Sequence, residues 1–155
     1  MTFITCVFNE ALRRGGTAPN THTYFFKKDT KVGWMNVKAY QTLQINIHGL
    51  HMNKEQWQRP EEFLPDRFDP SHPLSKTASG QKRHPQAFLP FSAGSRVCFG
   101  KNFAELHGTA VLTMFAQRFD MSFVDKELYN ADNLPLLMIT QSHNPPLWLE
   151  LKERK

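Results

Sequence analysis

Apolar residues recur at intervals of three and four positions in two stretches of the chain, which is the spacing that places them on one face of an α-helix. The first predicted helix spans residues 2–14 and is ended by Gly15, Gly16 and Pro19. The second runs over residues 99–118. Its apolar stripe comprises Phe103, Leu106, Ala110, Val111 and Met114. A stripe of this kind packs against other parts of a protein, and much of the apolar surface on these two helices is expected to lack its partner within this sequence.

Alternating patterns between and after the helices predict strands. Leu43, Ile45 and Ile47 alternate with polar residues, as in a half-buried strand, and residues 24–26 predict a strand before them. The tail, residues 119–152, predicts three short strands separated by turn-forming residues. Helical turns are predicted at Glu55–Trp57 and Pro60–Phe63, and loops at 69–87 and 88–98.

Composition narrows the class of protein. The chain has 155 residues, enough for one domain with its own core, and its net charge is +5. No basic run carries interleaved aromatic residues, so nucleic acid is not an expected partner. The two cysteines, Cys6 and Cys98, lack the spacing of a zinc site or a disulfide framework. Cys6 lies on the first predicted helix and is expected to be part of the protein core.

The stretch around Cys98 carries the candidate chemistry. A thiolate is a soft ligand suited to iron or copper, and Cys98 precedes a predicted helix, whose free amide groups favour an anion. Gly94 and Gly100 permit a tight turn and a close approach, and Arg96 can reach a carboxylate on the same side. Phe91 can shield the sulfur from water. The alternative is a buried, inert cysteine ahead of a helix.

These residues stand at the spacing Phe-x-x-Gly-x-Arg-x-Cys-x-Gly, which resembles the haem-binding signature of the cytochrome P-450 superfamily. The resemblance implies that Cys98 ligates the iron of haem b as a thiolate and pushes electron density towards bound oxygen. It also implies that Arg96 pairs with a haem propionate and that Phe91 packs beside the sulfur. The cofactor-binding residues are therefore expected to be Phe91, Gly94, Arg96, Cys98 and Gly100.

Two further motifs resemble the same family. Glu10 and Arg13 lie three residues apart on the first helix and match its Glu-x-x-Arg pair. Residues 60–68 are similar to its Pro-Glu-x-Phe-x-Pro-x-Arg-Phe segment, and the resemblance implies that Arg67 bonds to the helical pair. His22 is the nearest candidate for a second propionate ligand, which many relatives supply as arginine. The alternative is a surface histidine.

The resemblance covers residues 3–152 and implies a mainly α fold with small β-sheets (α+β). It corresponds to the C-terminal part of the cytochrome P-450 fold, from the K helix through the cysteine loop and L helix to the terminal hairpin. Residues 1–155 are thus expected to form a single partial domain. The oxygen-activating I helix has no counterpart in this sequence, so no catalytic residue is assigned and the chain alone is expected to be inactive and marginally stable.

By resemblance, the parent activity is a monooxygenase that inserts one oxygen atom from O2 into an apolar small molecule. The resemblance implies that the electrons come from NADPH through a separate reductase, or from a ferredoxin. Either electron donor is expected to bind on the thiolate face. Membrane association is expected only through a segment N-terminal to this one, at the cytosolic face of the endoplasmic reticulum if the parent is microsomal. Four basic residues flank the loop in sequence: Lys76, Lys82, Arg83 and Lys101. Their charge is compatible with docking of an acidic electron donor, and the alternative is that it only keeps the loop soluble.

Two other functions stay open at this point. In the first alternative to the monooxygenase segment, the chain is a catalytically inactive partial gene product or a non-enzymatic haem-binding or interaction module of the same ancestry. An unrelated binding domain with a buried structural cysteine is the remaining possibility.

Overall fold

The computed structural model describes residues 2–124 and 148–154, and its elements are mainly helical with two small sheets. The helices are α1 (Phe3–Gly15), α2 (Ile47–His51) and α3 (Lys101–Arg118). The strands are β1 (Thr30–Val32), β2 (Met35–Val37), β3 (Phe119–Phe123) and β4 (Leu149–Glu153). Short 3-10 helices occur at Pro65–Phe68, Pro73–Ser75, Pro85–Ala87 and Gly94–Arg96. The predicted fold class, mainly α with small β-sheets, is confirmed.

Helix α1 confirms the first predicted helix and carries charge into the interior. Thr2 caps it, since its hydroxyl accepts a hydrogen bond from the amide of Thr5 at 3.4 Å. The buried residues Cys6, Glu10 and Arg13 follow at helical spacing, so one face of α1 is directed inward. Cys6 is a core residue, as predicted, and burial raises the pKa of its thiol.

Helix α3 packs on α1 at Gly108, against the ring of Phe8. The ring of Phe8 lies so close to Gly108 that a Cβ built there would be 2.2 Å from its Cε2 atom. The apolar stripe of α3 is exposed, as expected for a helix whose apolar surface lacks its partner. Phe103 and Leu106 are 72% and 73% exposed. The contact with Phe8 selects the face around Gly108, because only a residue without a side chain lets the two helices approach so closely.

The β-structure is less extensive than predicted. Tyr24 and Leu43 form an isolated bridge instead of long strands, and Ile47 starts α2 rather than continuing a strand. The physical reason is a cap: the Asn46 side chain accepts a hydrogen bond from the amide of Gly49 at 2.7 Å. Strands β3 and β4 pair antiparallel from Phe119↔Glu153 to Phe123↔Leu149 and confirm two tail strands. The third predicted tail strand lies outside the described residues.

The segment before the cysteine loop contains tight turns. The turn predicted at Glu55–Trp57 is confirmed, since the amides of Gln56 and Trp57 both donate to the Asn53 carbonyl, at 3.0 and 2.9 Å. A turn is also present where it was predicted at Pro60–Phe63, since the amide of Glu62 donates to the Arg59 carbonyl at 3.1 Å, and a 3-10 helix follows at Pro65–Phe68. Pro65 occupies its first turn, where the missing amide hydrogen costs nothing.

An aromatic cluster fills the space beneath these turns. Trp57 is 1% exposed, and its ring lies 5.8 Å from Phe68 and 6.2 Å from Phe88, measured between centroids. Phe68 and Phe88 are themselves 4.8 Å apart. Tilted ring pairs at such distances are favourable beyond the area that they bury. The cluster joins the 3-10 helix Pro65–Phe68 to the segment that enters the cysteine loop.

Replacing Gly108 by Ala is expected to destabilise the chain, although Ala is the better helix former by about 1 kcal/mol. The added methyl group would overlap the rigid Phe8 ring, and overpacking of this kind costs roughly 1–3 kcal/mol. Urea unfolding should show a lowered midpoint, and the same substitution in a Phe8→Leu background should be neutral or stabilising. Stabilisation in the wild-type background would contradict this helix contact.

Candidate functional site

The cysteine loop is closed by its own backbone. The amide of Cys98 donates to the Phe91 carbonyl at 2.9 Å, and the amide of Val97 donates to the Gly94 carbonyl at 3.2 Å. Gly94 lies at φ +71° and Ser92 at φ +62°, so the chain reverses twice between the bonded ends. Gly94 is therefore needed for its left-handed backbone, which other residues adopt only at a cost.

The thiol of Cys98 is exposed and stands two residues before the N-cap of α3. The alternative of a buried, inert cysteine is therefore wrong. Val97 and Phe99 on either side are apolar and exposed, and Phe99 has no contact that reduces its exposure. A side chain at Gly100 would place a Cβ 3.8 Å from the sulfur, so glycine keeps this side of the thiol uncovered.

The other predicted cofactor-binding residues lie at varying depth. Phe91 and Gly100 are half-buried at the two ends of the loop, and Arg96 is exposed between them. The structure does not place His22 in a polar network. It is exposed, and among the described residues no hydrogen bond or ion pair involves it.

Three charged side chains, each fully buried, form the support of this region. Glu10 receives two hydrogen bonds of 2.8 Å from the Arg13 guanidinium, one on each carboxylate oxygen. Arg67 donates from Nε to Oε1 of the same carboxylate at 3.1 Å, and the amide of Leu64 donates to that oxygen at 2.8 Å. The predicted bond between Arg67 and the helical pair is confirmed. Burial lowers the pKa of the Arg67 guanidinium, and Glu10 opposes that shift.

The remaining guanidinium hydrogens bind backbone carbonyls. Arg13 donates to the carbonyls of Pro60 and Glu62 at 2.8 and 3.1 Å, and Arg67 donates to those of Gln58 and Arg59. Buried ion pairs of this kind specify geometry more than they add stability. The network therefore determines the path of residues 58–64 relative to α1.

His51 is a buried residue that sequence reasoning missed. Its ring is 1% exposed, and Nε2 accepts a hydrogen bond from the amide of Leu89 at 3.0 Å. Its carbonyl accepts from Nη1 of Arg13 at 2.8 Å. The pKa of the imidazole is lowered to about 4, mainly by desolvation and in smaller part by the nearby charges of Arg13 and His48. The ring is consequently neutral at pH 7.

A protein-only metal site is not present among residues 2–124 and 148–154, where no three His, Cys, Asp or Glu side chains come together. Over the same stretches, none of the helices has the length and apolar character that crossing a bilayer demands.

Comparison with known proteins agrees with the motifs. The family model "Cytochrome P450" matches residues 1–147. The chain belongs to the cytochrome P450 family. The heme domain of cytochrome P450DA superposes on the whole chain with a TM-score of 0.79 at 26% sequence identity, and 32% of that domain is covered.

Similar curated P450 proteins come from mammals and plants. The chain is 36% identical to cytochrome P450 4A24 of Sus scrofa over 79% of its own length and 22% of that protein. It is 31% identical to cytochrome P450 4B1 of Rattus norvegicus over 97% of its length and 28% of that protein. It is 30% identical to ent-kaurene oxidase-like 3 of Oryza sativa subsp. japonica over 88% of its length and 26% of that protein. The chain thus spans about a quarter of these relatives.

Arg83 has a structural role in this P450 chain. Its Nη atoms donate to the carbonyls of Leu74, at 2.9 Å, and Arg67, and its Cζ lies 4.2 Å from the centroid of the Trp57 ring. Desolvation lowers the pKa of the guanidinium to about 10. A cation stacked on an indole and bonded to two carbonyls stabilises the loop around it. Lys82, the neighbouring residue, is exposed.

Replacing Arg67 by Met is expected to destabilise the chain by about 3–5 kcal/mol, the usual cost of breaking a buried ion pair. The loss also removes the bonds to the carbonyls of Gln58 and Arg59. Lys38→Met is the matched control, because Lys38 pairs with Asp29 on the surface, and it should cost at most about 1 kcal/mol. Denaturant titration of both variants gives the comparison, and equal losses would contradict the structural role of the network.

Stability is expected to fall as the pH decreases from about 6.5 to about 4. The unfolded chain protonates His51 near its ordinary pKa of 6.5, whereas the folded chain resists protonation until about pH 4. The contribution of the neutral His51 ring to the free energy of unfolding is therefore fully present above pH 6.5 and amounts to roughly 3 kcal/mol. Denaturant titration at several pH values should show a shallower acid slope for His51→Gln and an almost unchanged one for His48→Gln, because the charge of His48 is the smallest of the causes that act on the pKa of His51. An unaltered slope in His51→Gln would refute the assignment.

Proposed function

We propose that this P450 chain is the haem-binding segment of a monooxygenase and that Cys98 is the axial thiolate ligand of the iron. The observation that carries the proposal is the exposed thiol of Cys98, held just before α3 by a closed loop. Residues 1–155 would then act as one partial domain. A lone exposed cysteine is weak support by itself, but this one sits within a family-specific motif on a buried ionic support.

The surroundings of the thiol fit haem b. The exposed side chains of Val97 and Phe99 offer apolar surface that a flat macrocycle would cover. Within the described part of the chain, no hydrogen bond occupies the amides of Phe99 and Gly100, so both are free to donate to a thiolate. Glycine at position 100 leaves space beside the sulfur.

Each loop residue has a proposed part in holding the cofactor. Cys98 would donate electron density to the iron, and Phe91, half-buried behind the loop, would exclude water from the sulfur. The exposed Arg96 would neutralise a propionate, and His22 would offer a weaker second contact. Gly94 would keep the reversal that aims the thiol outward.

When bound, haem b would supply the activation of dioxygen for insertion into an apolar substrate, with electrons from NADPH through a reductase or from a ferredoxin. The contribution of this chain is to bind the cofactor, orient it and set the charge of its proximal ligand. The exposed lysines that flank the loop in sequence, Lys76, Lys82 and Lys101, would steer an acidic electron donor.

A haem-binding module without catalysis of its own is the second candidate. It is favoured by the exposed apolar stripe of α3, which offers Phe103, Leu106 and Met114 as a surface for other polypeptide. Turnover in the presence of an electron donor separates the two candidates, since both bind haem through the same cysteine.

The carbon-monoxide difference spectrum of the reduced, haem-loaded chain tests the ligand. The wild type should show the Soret band typical of thiolate ligation, because Cys98 is accessible and ahead of the positive end of α3. Cys98→Ala should lose that band, and Cys6→Ala should retain it because Cys6 is buried in α1. Haem uptake with only nitrogen or water as axial ligand, or no uptake, would contradict the proposal.

A further inference from the structure

We propose that His51 is a positioning residue for the cysteine loop. Its carbonyl binds the ionic network of α1, and its buried ring binds the segment that leads to Cys98. The inference rests on the proposal that Cys98 binds haem iron, but its structural part is testable without the cofactor.

His51 makes contact in both directions. Towards α1, its carbonyl accepts a hydrogen bond of 2.8 Å from Nη1 of Arg13, whose other nitrogens hold Glu10. Towards the loop, its Nε2 atom accepts a bond of 3.0 Å from the amide of Leu89. The ring also lies 5.2 Å from the ring of Phe88, between centroids. One residue thus connects two parts of the chain that are separated by more than seventy positions.

The connection continues from Leu89 to the thiol through backbone hydrogen bonds. The Leu89 carbonyl accepts from the amide of Ser92 at 3.1 Å, and the Phe91 carbonyl accepts from the amide of Cys98 at 2.9 Å. Because Ser92 and Gly94 turn the chain back, Cys98 takes its position from Phe91, and Phe91 from Leu89. A displacement of Leu89 would therefore move the sulfur.

The position requires an acceptor on a buried side chain. A neutral imidazole accepts at one nitrogen only, and here Nε2 has that role, which assigns the proton to Nδ1. Protonation would turn Nε2 into a donor opposite the amide of Leu89, and a buried amide would lose its partner. The charges of Arg13 and His48 act on the ring and oppose its protonation, whereas a hydrogen bond with the Arg13 backbone favours it.

Three variants separate positioning from simple packing. His51→Phe keeps a ring against Phe88 and removes the acceptor. His51→Gln places an amide oxygen near the position of Nε2 and can accept from Leu89. His48→Phe is the matched control, since His48 is an exposed histidine on the same helix.

The first readout is hydrogen exchange of the Leu89 amide in the haem-free full chain. His51→Phe should lower its protection about tenfold or more, the effect of losing one buried hydrogen bond. His51→Gln should restore most of that protection, and His48→Phe should leave it unchanged. Wild-type protection retained in His51→Phe would overturn the proposal.

The second readout is the share of thiolate-ligated iron in the haem-loaded, reduced, carbon-monoxide-bound chain. It should fall in His51→Phe and recover in His51→Gln. Equal shares in the wild type and His51→Phe would overturn the positioning role. Absence of thiolate ligation in the wild type would instead reject Cys98 as ligand, while the exchange result would still test the link between His51 and Leu89.

A pH comparison decides the matter if His51→Phe unfolds, which loss of the buried Trp57 fluorescence would reveal. Protection of the Leu89 amide, corrected for intrinsic exchange, should decrease in the wild type below about pH 6.5 and stay constant in His51→Gln. The same pH dependence in both proteins would overturn the proposal.

Discussion

One buried carboxylate organises this structure. Glu10 accepts hydrogen bonds from Arg13, Arg67 and the amide of Leu64, and it has no contact with solvent. An ion removed from water is costly unless every hydrogen-bonding group around it is matched. Helix α1 and the 3-10 helix Pro65–Phe68 must therefore meet in one arrangement, because any other would leave a charge unpaired in the interior.

The network extends to the reactive side of the molecule through neutral contacts. His51 bonds to Arg13 on one side and Leu89 on the other, and Arg83 joins the carbonyl of Arg67 to the ring of Trp57. The buried charge is thus concentrated between α1 and the 3-10 helix Pro65–Phe68, whereas the exposed apolar side chains of Val97 and Phe99 flank the thiol. This separation suits a cofactor with a flat apolar body and acidic edges, which needs a rigid support on one side and an apolar contact on the other.

The cysteine loop and the ionic trio of Glu10, Arg13 and Arg67 were more predictable than the contacts of His51 and Arg83. Cys98 and its neighbours act within ten residues, so their spacing in the sequence already reports their geometry. His51 and Arg83 acquire their roles through partners that are distant along the chain. In the sequence, His51 is one of seven histidines and Arg83 follows a lysine, and neither carries a local signal that separates it from a solvated residue. A fully conserved pattern among relatives would have been needed to single them out.

The sequence by itself determined the two long helices, the reversal at Gly94 and the motif that holds Cys98, because helical periodicity, backbone freedom and thiol chemistry are local properties. Tertiary structure alone decided which face of α3 is covered and which partners His51 finds. The first depends on the ring of Phe8 against Gly108, and the second on the amide of Leu89 and the guanidinium of Arg13. Both follow from steric fit and hydrogen bonding between particular atoms, which an apolar pattern does not encode.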